Sequence, residues 1–403
     1  MKPWLSVIGI GEDGVDGLSA RARALIEGAA LVAGGVRHLA LAAPLIRGER
    51  LAWPSPLRDA LPAIAARRGT PVAVLASGDP NWFGVGETLR GIVAAEETLC
   101  IPAPSSLALA CARLGWAAHD VAAMSACGRP LEAVVSVLHD GARVIVLSAD
   151  ARTPAALAAL LCERGCGASV LHVMEALGGP HECIRRLGAD ATIPDDINPL
   201  NLVAVEVAGR FCLPLASLSD DAFAHDGQIT KREVRAATLS ALAPRPGALL
   251  WDIGCGSGSV AIEWSRAHPA CRAVAIEPRP DRAERAMANA RALGVPELRV
   301  VVGRAPDALD GLPLPDAVFI GGGARDPGVI DGAWHALRPG GMLVVNSVTV
   351  ETQALLIETR SRLGGTLTRL AIERLDTVGD SHLHGFRPAM AVMQWAVRKP
   401  WDA

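Results

Sequence analysis

LLWDIGCGSGSV, residues 249–260, is the stretch that decides the fold of the second half of this chain. An apolar run typical of a buried strand leads into three glycines at alternate positions and then into the start of a helix. Glycine lets the backbone approach a ligand closely, and a helix N-terminus supplies N–H groups that no helical carbonyl uses. The stretch therefore predicts a cofactor-binding turn between a strand and a helix.

The spacing of these glycines separates two classes of cofactor. A dinucleotide fold prefers G-x-G-x-x-G, with a pyrophosphate at the helix N-terminus. Here the spacing is G-x-G-x-G at Gly254, Gly256 and Gly258, and Asp252 precedes it. A carboxylate there would repel a pyrophosphate, whereas it could order the turn or face the ammonium group of an amino acid. The spacing therefore favours S-adenosylmethionine, while Glu277, at the end of the next strand, suits the ribose of either cofactor.

Short apolar runs alternate with segments of helical period along the whole chain, which is typical of parallel sheets covered by helices. The predicted fold class is therefore α/β. We predict strands at residues 5–10, 71–76, 143–147, 201–207, 248–253, 273–276, 299–302, 317–320 and 341–345. A chain of 403 residues exceeds one ordinary domain, and residues 209–227 are rich in turn formers. We place two domains at 1–210 and 211–403.

Composition argues against several classes of function. The formal charge of −3 gives no global basic field for nucleic acid. The nine cysteines have irregular spacing, with Cys162 and Cys166 as the nearest pair, so we expect no metal site. No apolar run reaches the length of a membrane span, and no leader sequence precedes the first strand. We expect a cytoplasmic protein.

The first half carries three motifs of its own. VIGIGEDG at residues 7–14 matches G-x-G-x-x-G, but Ser19 is expected to cap the following helix, so these glycines do not open it. SGDPNWFG at residues 77–84 follows a strand and predicts a tight turn with an aromatic pair. IPAPSS at residues 101–106 places two hydroxyls at a helix start. The first motif alone is a weak indication of NAD binding.

Three segments of the second half, taken in order, resemble the precorrin decarboxylating methyltransferase domain of cobalamin biosynthesis. They are TKREVR at 230–235, WDIGCGSGS at 251–259 and FIGGG at 319–323. The resemblance implies a Rossmann-like class I methyltransferase fold that binds S-adenosylmethionine. The cofactor contacts that we expect are Thr230, Asp252, Gly254, Cys255, Gly256, Ser257, Gly258, Glu277, Arg304 and Ala305. From local sequence alone, Thr230 also suits a helix cap, with Glu233 closing a capping box.

The motifs of the first half resemble the tetrapyrrole methylase family over residues 1–208, in its branch that methylates carbon 5 of a precorrin. The resemblance implies two α/β lobes with the cofactor between them. The cofactor contacts that it implies are Gly11, Gly78, Asp79, Pro80, Ser105 and Ser106. Residues 9–14 are expected to face the macrocycle. The family usually has Ser-Ala-His-Gly-Arg where this chain has SACGR at 125–129, with Cys127 in place of the histidine.

Together, the two resemblances imply an enzyme of cobalamin biosynthesis. It would methylate carbon 5 of a reduced tetrapyrrole in the first domain, and methylate carbon 15 and decarboxylate the ring C acetate in the second. Cations must meet the carboxylates of such a substrate, and the candidates are Arg129, Arg235, Arg304, Arg325 and Arg387. His382 and His384 are candidates for a proton relay. We also expect a homo-oligomer.

Two other interpretations remain open at the level of sequence. If residues 9–14 bound NAD, the chain would be an oxidoreductase fused to a methyltransferase. Alternatively, one domain would only hold the substrate, and its cofactor pocket would be inactive. The number of S-adenosylhomocysteine sites per chain, measured by calorimetry, distinguishes one cofactor site from two.

Overall fold

The computed structural model describes residues 3 to 379 and 382 to 401. Internal contacts divide the chain into two compact units. The first unit extends to Phe211 except for Glu132–Ser136, and the second comprises Glu132–Ser136 and the residues from Cys212 onward. Each unit has sheets and a buried apolar core of its own.

The first unit begins with a five-stranded, fully parallel sheet in the order β3-β2-β4-β1-β5. Its strands are β1 (Leu5–Ile10), β2 (Leu31–Gly34), β3 (Glu49–Ala52), β4 (Val72–Ser77) and β5 (Thr98–Ile101). Parallel strands are covered on both faces and read as continuous apolar runs. Every residue of β1 is accordingly buried.

A second sheet in the same unit has the order β6-β7-β10-β8-β9, and only its β6 and β7 run parallel. Its strands are β6 (Val121–Ser125), β7 (Arg143–Leu147), β8 (Val170–Glu175), β9 (Cys183–Gly188) and β10 (Asn201–Glu206). The helices of the unit are α1 (Ala20–Glu27), α2 (Val36–Leu41), α3 (Leu61–Ala65), α4 (Val85–Arg90), α5 (Ser106–Leu114) and α6 (Thr153–Glu163). The first unit therefore combines two five-stranded sheets with α-helices.

The second unit is built on a seven-stranded sheet in the order β13-β12-β11-β14-β15-β19-β16. Its strands are β11 (Leu249–Ile253), β12 (Arg272–Glu277), β13 (Arg299–Val302), β14 (Ala317–Ile320), β15 (Met342–Ser347), β16 (Thr366–Leu370) and β19 (Val392–Arg398). The first five strands in that order are parallel, and β19 is antiparallel to both of its neighbours. Leu250 and Trp251 belong to different apolar clusters, because alternate residues of a strand face opposite sides of the sheet.

In the described residues of the second unit, five helices and a separate hairpin accompany this sheet. The helices are α7 (Arg232–Leu242), α8 (Ser259–Ala267), α9 (Pro280–Ala292), α10 (Val329–Ala336) and α11 (Val350–Leu363). The hairpin strands are β17 (Glu373–Thr377) and β18 (His384–Pro388). Short 3-10 turns lie at Leu57–Ala60, Ala95–Glu97, Ala118–Asp120, Leu131–Val137, Asp220–Ala222 and Asp307–Leu309.

Each strand predicted from sequence is present, with ends shifted by no more than two residues, and the α/β class is confirmed. The shift at 71–76 is a single residue, since the strand is Val72–Ser77. In the part of the chain that the structure describes, no helix is both long and apolar enough to cross a membrane.

Candidate functional site

The glycine turn predicted at 249–260 connects β11 to α8. Gly254, Gly256 and Gly258 have φ angles of 71°, 56° and 77°, a left-handed backbone that favours glycine. A Cβ on Gly254 would also lie 2.9 Å from backbone atoms of Gly322, so the turn packs directly on the second glycine-rich loop. A Cβ on Gly256 would meet nothing nearer than 3.5 Å. The turn is thus tight at its first glycine and open at its second.

Two buried carboxylates hold this turn. Asp252 Oδ2 accepts the N–H of Ala261, at the start of α8, at 3.0 Å. Glu277 accepts two backbone N–H groups, that of Gly256 at 2.9 Å and that of Arg279 at 3.1 Å. Of the two roles considered for Asp252, its contacts support the ordering of the turn. A second acid, Glu277, orders the turn from the next strand.

Asp252 titrates at an unusual pH for a carboxylic acid. Burial raises the pKa of Asp252 to about 7, the charge of Glu277 adds to this rise, and the hydrogen bond from Ala261 opposes it. Its other oxygen, Oδ1, has no hydrogen-bond partner in the described part of the chain. An aspartate with this environment changes its charge near neutral pH while shielded from water.

A cavity of about 700 Å³ opens beside the turn. The predicted cofactor residues that line it are Thr230, Gly254, Cys255, Gly256, Glu277, Arg304 and Ala305. Asp252, Ser257 and Gly258 lie behind this wall and do not line the cavity. The cavity therefore gathers the carboxyl ends of β11, β12 and β13, which is where ligands bind in open α/β sheets.

The capping box that local sequence allowed at Thr230, as the alternative to a cofactor role, does not form. Helix α7 begins at Arg232, and its N-cap residue is Lys231, which makes no side-chain capping bond. Glu233 pairs instead with Arg374, at 2.5 Å. Since Thr230 is outside the helix and lines the cavity, the cofactor role implied by the resemblance is the one that the geometry leaves available.

The structure corrects the role expected for Arg235, that of a cation for substrate carboxylates. Its side chain is completely buried, and its guanidinium donates to Glu263 at 2.6 Å and to Asp220 at 3.1 Å. It also donates to the carbonyl oxygens of Leu218 and Thr230. A guanidinium satisfied on all sides inside the fold cannot meet a ligand, so Arg235 is a structural residue.

The other charged candidates of the second unit are exposed. Arg304 lines the cavity and pairs with Asp326 at 3.0 Å. Arg325 is exposed, does not line the cavity and has no partner among the described residues. Arg387 lies on β18 and pairs with Asp376 at 3.1 Å. His382 and His384, at the tip of the β17–β18 hairpin, are exposed and also lie outside the cavity lining.

A polar network that the sequence analysis did not find reaches the same cavity. Asn346 lines it, and the side chains of Thr238 and Gln394 bind the Asn346 amide from behind. Arg282 and Arg374 add two further guanidinium groups to the lining. Asn346 and Ser347 directly follow the strand predicted at 341–345. This position at a strand end was the available sequence signal for Asn346.

The first unit builds its turn differently. A Cβ on Gly9 would overlap the carbonyl oxygen of Gly78, so the close approach of β1 to the turn after β4 requires glycine at position 9. Gly78 has a φ of 53° and lies against the backbone of Pro104 and Ser105. Ser19, as predicted, caps α1 by accepting the N–H of Ala22 at 3.2 Å. Gly9 and Ile10 end β1, and residues 11–14 belong to a turn that does not open a helix.

A cavity of about 390 Å³ lies in this unit. Gly11, Gly78, Ser105 and Ser106 line it, as do the aromatic side chains of Trp53, Trp82 and Phe83. Asp79 and Pro80 do not line it, and they shape the turn instead. Asp79 Oδ1 accepts the N–H of Asn81 at 2.8 Å, and the Pro80 carbonyl accepts the N–H of Gly86 at 2.9 Å.

The SACGR segment places one residue at this cavity and one beside it. Cys127 lines the cavity, and its thiol donates to the carbonyl of Ser148 at 3.2 Å. Arg129 is exposed, with its guanidinium carbon 5.2 Å from the centre of the Phe83 ring. A guanidinium over an aromatic face makes a favourable cation–π contact. Arg129 therefore contacts the cavity wall through Phe83.

Two polar residues of this cavity, Arg37 and His38, were missed from sequence, and they contact Glu12 and Ser77 of the predicted motifs. Arg37 pairs with Glu12, and its Nη2 donates to Ser77 Oγ at 2.8 Å and to His38 Nε2 at 3.0 Å. Because an arginine N–H can only donate, Nε2 of His38 accepts and the ring is neutral. Burial and, to a smaller extent, the charge of Arg37 lower the pKa of His38 to about 4. VRHL at 36–39 opens α2 and carries the only local signal, a basic pair at a helix start.

These two cavities define the class of protein. A G-x-G-x-G turn beside an acidic strand end is the arrangement of class I methyltransferases, and the first unit joins a glycine loop, an Asp-Pro turn and a hydroxyl-capped helix in one cavity. Residues 5–190 match the tetrapyrrole (corrin/porphyrin) methylases, and residues 221–399 match the precorrin methyltransferase domain.

A similarity across nearly the whole chain identifies the family. Over 403 residues the chain is 53% identical to a Sinorhizobium sp. protein named precorrin-6Y C(5,15)-methyltransferase (decarboxylating), covering 99% of this chain and 97% of that protein. The chain belongs to the family of decarboxylating precorrin-6Y C(5,15)-methyltransferases. It is a methyltransferase, and the predicted order of a tetrapyrrole methylase fold followed by a Rossmann-like class I fold is confirmed.

Two shorter relatives each match part of the chain. A Salmonella typhimurium cobalt-precorrin-7 C(5)-methyltransferase is 33% identical over 47% of this chain and 94% of its own length. A Pyrobaculum calidifontis protein, named probable cobalt-precorrin-6B C(15)-methyltransferase (decarboxylating), is 35% identical over 34% of this chain and 71% of its own. These relatives are methyltransferases, so the oxidoreductase interpretation of residues 9–14 is not supported.

Proposed function

We propose that this chain methylates carbons 5 and 15 of precorrin-6Y and decarboxylates the ring C acetate, giving precorrin-8X. The observation that carries the proposal is the 53% identity over 99% of the chain to a relative named for that reaction. Two cavities with different glycine loops, one in each unit, fit the need for two methyl transfers to different carbons.

We infer that S-adenosylmethionine is the methyl donor at both cavities. When bound, it supplies a methyl group activated by a positively charged sulfur. In the second unit, open space beside Gly256 lets a ligand approach the backbone, and Glu277 and Thr230 lie in the same wall. The other residues proposed to hold it there are Gly254, Cys255, Arg304 and Ala305, with Asp252, Ser257 and Gly258 shaping the turn.

In the first unit, the residues proposed to hold the donor are Gly11, Gly78, Ser105 and Ser106. Gly78 allows no side chain, because a Cβ would lie 2.8 Å from the carbonyl oxygen of Pro104. Asp79 and Pro80 act through the shape of the turn. The division that we propose assigns carbon 5 to residues 1–210, and carbon 15 with decarboxylation to residues 211–403. Separate relatives named for one activity or the other support this division.

The chemistry asks the chain mainly for orientation. A bridge carbon conjugated to a pyrrolic nitrogen is enamine-like and already nucleophilic, so holding it in line with the methyl group supplies much of the rate. Carboxylates of the tetrapyrrole need donors, and Arg304 at the second cavity and Arg129 beside the first are proposed for them. Roles for Arg325 and for a proton relay by His382 and His384 stay predictions.

The test uses the full chain with precorrin-6Y and S-adenosylmethionine, and follows the product by mass spectrometry. We expect two methyl groups added and one CO2 lost per substrate. Calorimetry with S-adenosylhomocysteine should give two sites per chain. One added methyl group, or one site, would support the interpretation that one unit only holds the substrate.

Homo-oligomeric assembly and a cytoplasmic location also stay predictions. Light scattering of the full chain gives the mass in solution and so checks the first of these. The β17–β18 hairpin offers apolar area for assembly, because Leu375 and Phe386 are paired across its strands and are 61% and 69% exposed.

A further inference from the structure

A buried polar triad lies behind the second cavity. Asn346, near the end of β15, and Gln394, on β19, are direct partners in the antiparallel ladder. Thr238, on α7, contacts both side chains. Thr238 and Gln394 are buried, and of the three residues only Asn346 lines the cavity. The triad therefore presents a single side chain to a ligand.

The hydrogen bonds of the triad allow one orientation of the Asn346 amide. Thr238 has one hydroxyl proton, which it donates to the carbonyl of Val234 at 2.8 Å. Its oxygen must then accept, and it receives Asn346 Nδ2 at 2.8 Å and Gln394 Nε2 at 3.2 Å. Gln394 Nε2 also donates to Asn346 Oδ1 at 3.0 Å.

A flip of the Asn346 amide alone would break both contacts at once. The Asn346 oxygen would face the lone pairs of Thr238, and its NH2 would face the NH2 of Gln394. Unsatisfied polar groups at buried positions cost more than a single hydrogen bond contributes, so the network favours the unflipped orientation. The triad uses one proton and one lone pair of the Asn346 amide. One N–H and one lone pair remain, with a fixed direction.

The cations of the same wall each have a carboxylate partner in this chain, and the ammonium group of Lys231 lies 3.9 Å from Asp220. Arg282 pairs with Asp226 at 2.8 Å, Arg304 with Asp326 and Arg374 with Glu233. Asn346 is thus a neutral donor in a wall whose three guanidinium groups each have a carboxylate of this chain as partner. Such a donor can fix the direction of an anion without pairing it with a full positive charge.

We propose that Asn346 binds the acetate carboxylate of the substrate that is lost as CO2, with Thr238 and Gln394 as positioning residues. The proposal rests on the decarboxylation proposed above. In that step the bond between the carboxyl carbon and the methylene carbon breaks. Its electron pair neutralises a protonated ring imine of the tetrapyrrole, and CO2 leaves.

The chemistry of this step favours a neutral donor. The negative charge of the carboxylate disappears as the bond breaks, so a group that stabilises the anion strongly also raises the barrier. A charge-assisted bond from a guanidinium is roughly twice as strong as a neutral one. One neutral N–H orients the breaking bond at a smaller energetic cost, provided that its own direction is fixed. Thr238 and Gln394 supply that condition.

The chain offers a matched control for a test. Thr359, on α11, is also buried, and its hydroxyl donates to the carbonyl of Leu355 at 2.8 Å, four residues earlier. It does not line the cavity and binds no amide side chain. Thr238→Val and Thr359→Val therefore delete the same hydroxyl from equivalent helix positions, and only the first releases the Asn346 amide.

The assay uses the full chain with precorrin-6Y and S-adenosylmethionine, and measures kcat and KM for CO2 release, carbon-15 methylation, and the affinity for S-adenosylhomocysteine. We expect Thr238→Val to lower kcat for CO2 release about 10- to 100-fold, the range for a misplaced reacting group. We expect Thr359→Val to change it less than twofold, and Thr238→Ser to restore it. The affinity for S-adenosylhomocysteine should stay within about twofold of wild type in all three, since neither Thr238 nor Thr359 lines the cavity or is proposed to hold the donor.

Equal losses of CO2 release in Thr238→Val and Thr359→Val would overturn the proposal. If Thr238→Val does not fold, Asn346→Ala replaces it, and a wild-type kcat for CO2 release in that variant would also overturn the proposal. If the wild-type chain methylates precorrin-6Y and releases no CO2, the decarboxylation proposed above fails, and the role of Asn346 fails with it.

Discussion

The glycine loops beside the two cavities are held by different kinds of side chain, carboxylic acids in the second unit and an arginine in the first. In the second unit, the buried carboxylates of Asp252 and Glu277 accept backbone N–H groups of the turn. In the first, the guanidinium of Arg37 lies among Glu12, Ser77 and His38. Two buried acidic side chains organise one site and an arginine paired with Glu12 organises the other, although both sites are proposed to hold the same donor. We therefore expect the two sites to be disrupted by different substitutions and to lose stability in different pH ranges.

The largest expected difference concerns the arginines of the two units. Arg235→Leu should destabilise the second unit by about 3 to 5 kcal/mol, because it leaves Glu263 and Asp220 without their buried partner. Arg37→Leu should cost about 1 kcal/mol or less, since its ion pair with Glu12 is partly exposed. Urea unfolding of the two variants provides the comparison, and equal losses would contradict it.

A loop substitution should separate the two activities. Gly256→Val points a branched side chain into the second cavity and should weaken S-adenosylhomocysteine binding there at least about 100-fold, or roughly 2.7 kcal/mol. Carbon-5 methylation should survive. Calorimetry and product mass measure both effects. Loss of carbon-5 methylation in a folded variant would show that the two units are not independent catalysts.

The third prediction is a fall in stability with rising pH. The pKa of folded Asp252, about 7, is above that of an unfolded aspartate, about 3.9, so the folded chain retains a proton over this window. The stability due to this group is complete below pH 4 and is lost as the pH rises to 7. Between pH 5 and pH 8 the wild type should lose roughly 2 to 3 kcal/mol relative to Asp252→Asn. A constant difference in urea unfolding across that range would contradict it.

The smallest effect has the opposite sign and belongs to the first unit. The pKa of folded His38, about 4, is below the unfolded value of about 6.5, so protonation favours the unfolded chain. The stability due to His38 is present above pH 6.5 and is lost as the pH falls toward 4. From pH 7 to pH 5 the wild type should lose about 1 to 2 kcal/mol relative to His38→Gln, which keeps an acceptor for Arg37. The same unfolding series measures it, and a gain in stability would refute it.

Local patterns were sufficient to predict the strands and glycine turns. LLWDIGCGSGSV at 249–260 has an apolar period and turn residues that depend only on neighbours in sequence, and its strand, turn and helix are where they were expected. The Ser19 cap was predictable for the same reason, because its partner is three residues away. Features set by contacts within four or five residues can be predicted from one sequence.

The side-chain partners that were not predicted depend on contacts between segments that are distant in sequence. Glu233 suited a capping box locally, but Arg374, 141 residues further on, takes its carboxylate. Asn346 and Gln394 meet only through the register of β15 and β19, and Ser77 is 39 residues from His38. No local pattern encodes such partners. The buried state of Arg235 depends on Glu263 in the same way.

The tryptophans that line the first cavity make its occupancy observable by intrinsic fluorescence. The chain has no tyrosine, so excitation at wavelengths that phenylalanine does not absorb gives emission from indole rings alone. Trp53 and Trp82 line the first cavity, and in the part of the chain that the structure describes no tryptophan lines the second. A colourless ligand that enters the first cavity will change the surroundings of two emitting rings, whereas the same ligand in the second will contact none. Occupancy of one site can therefore be followed by fluorescence while total binding is followed by heat, in the same unmodified chain.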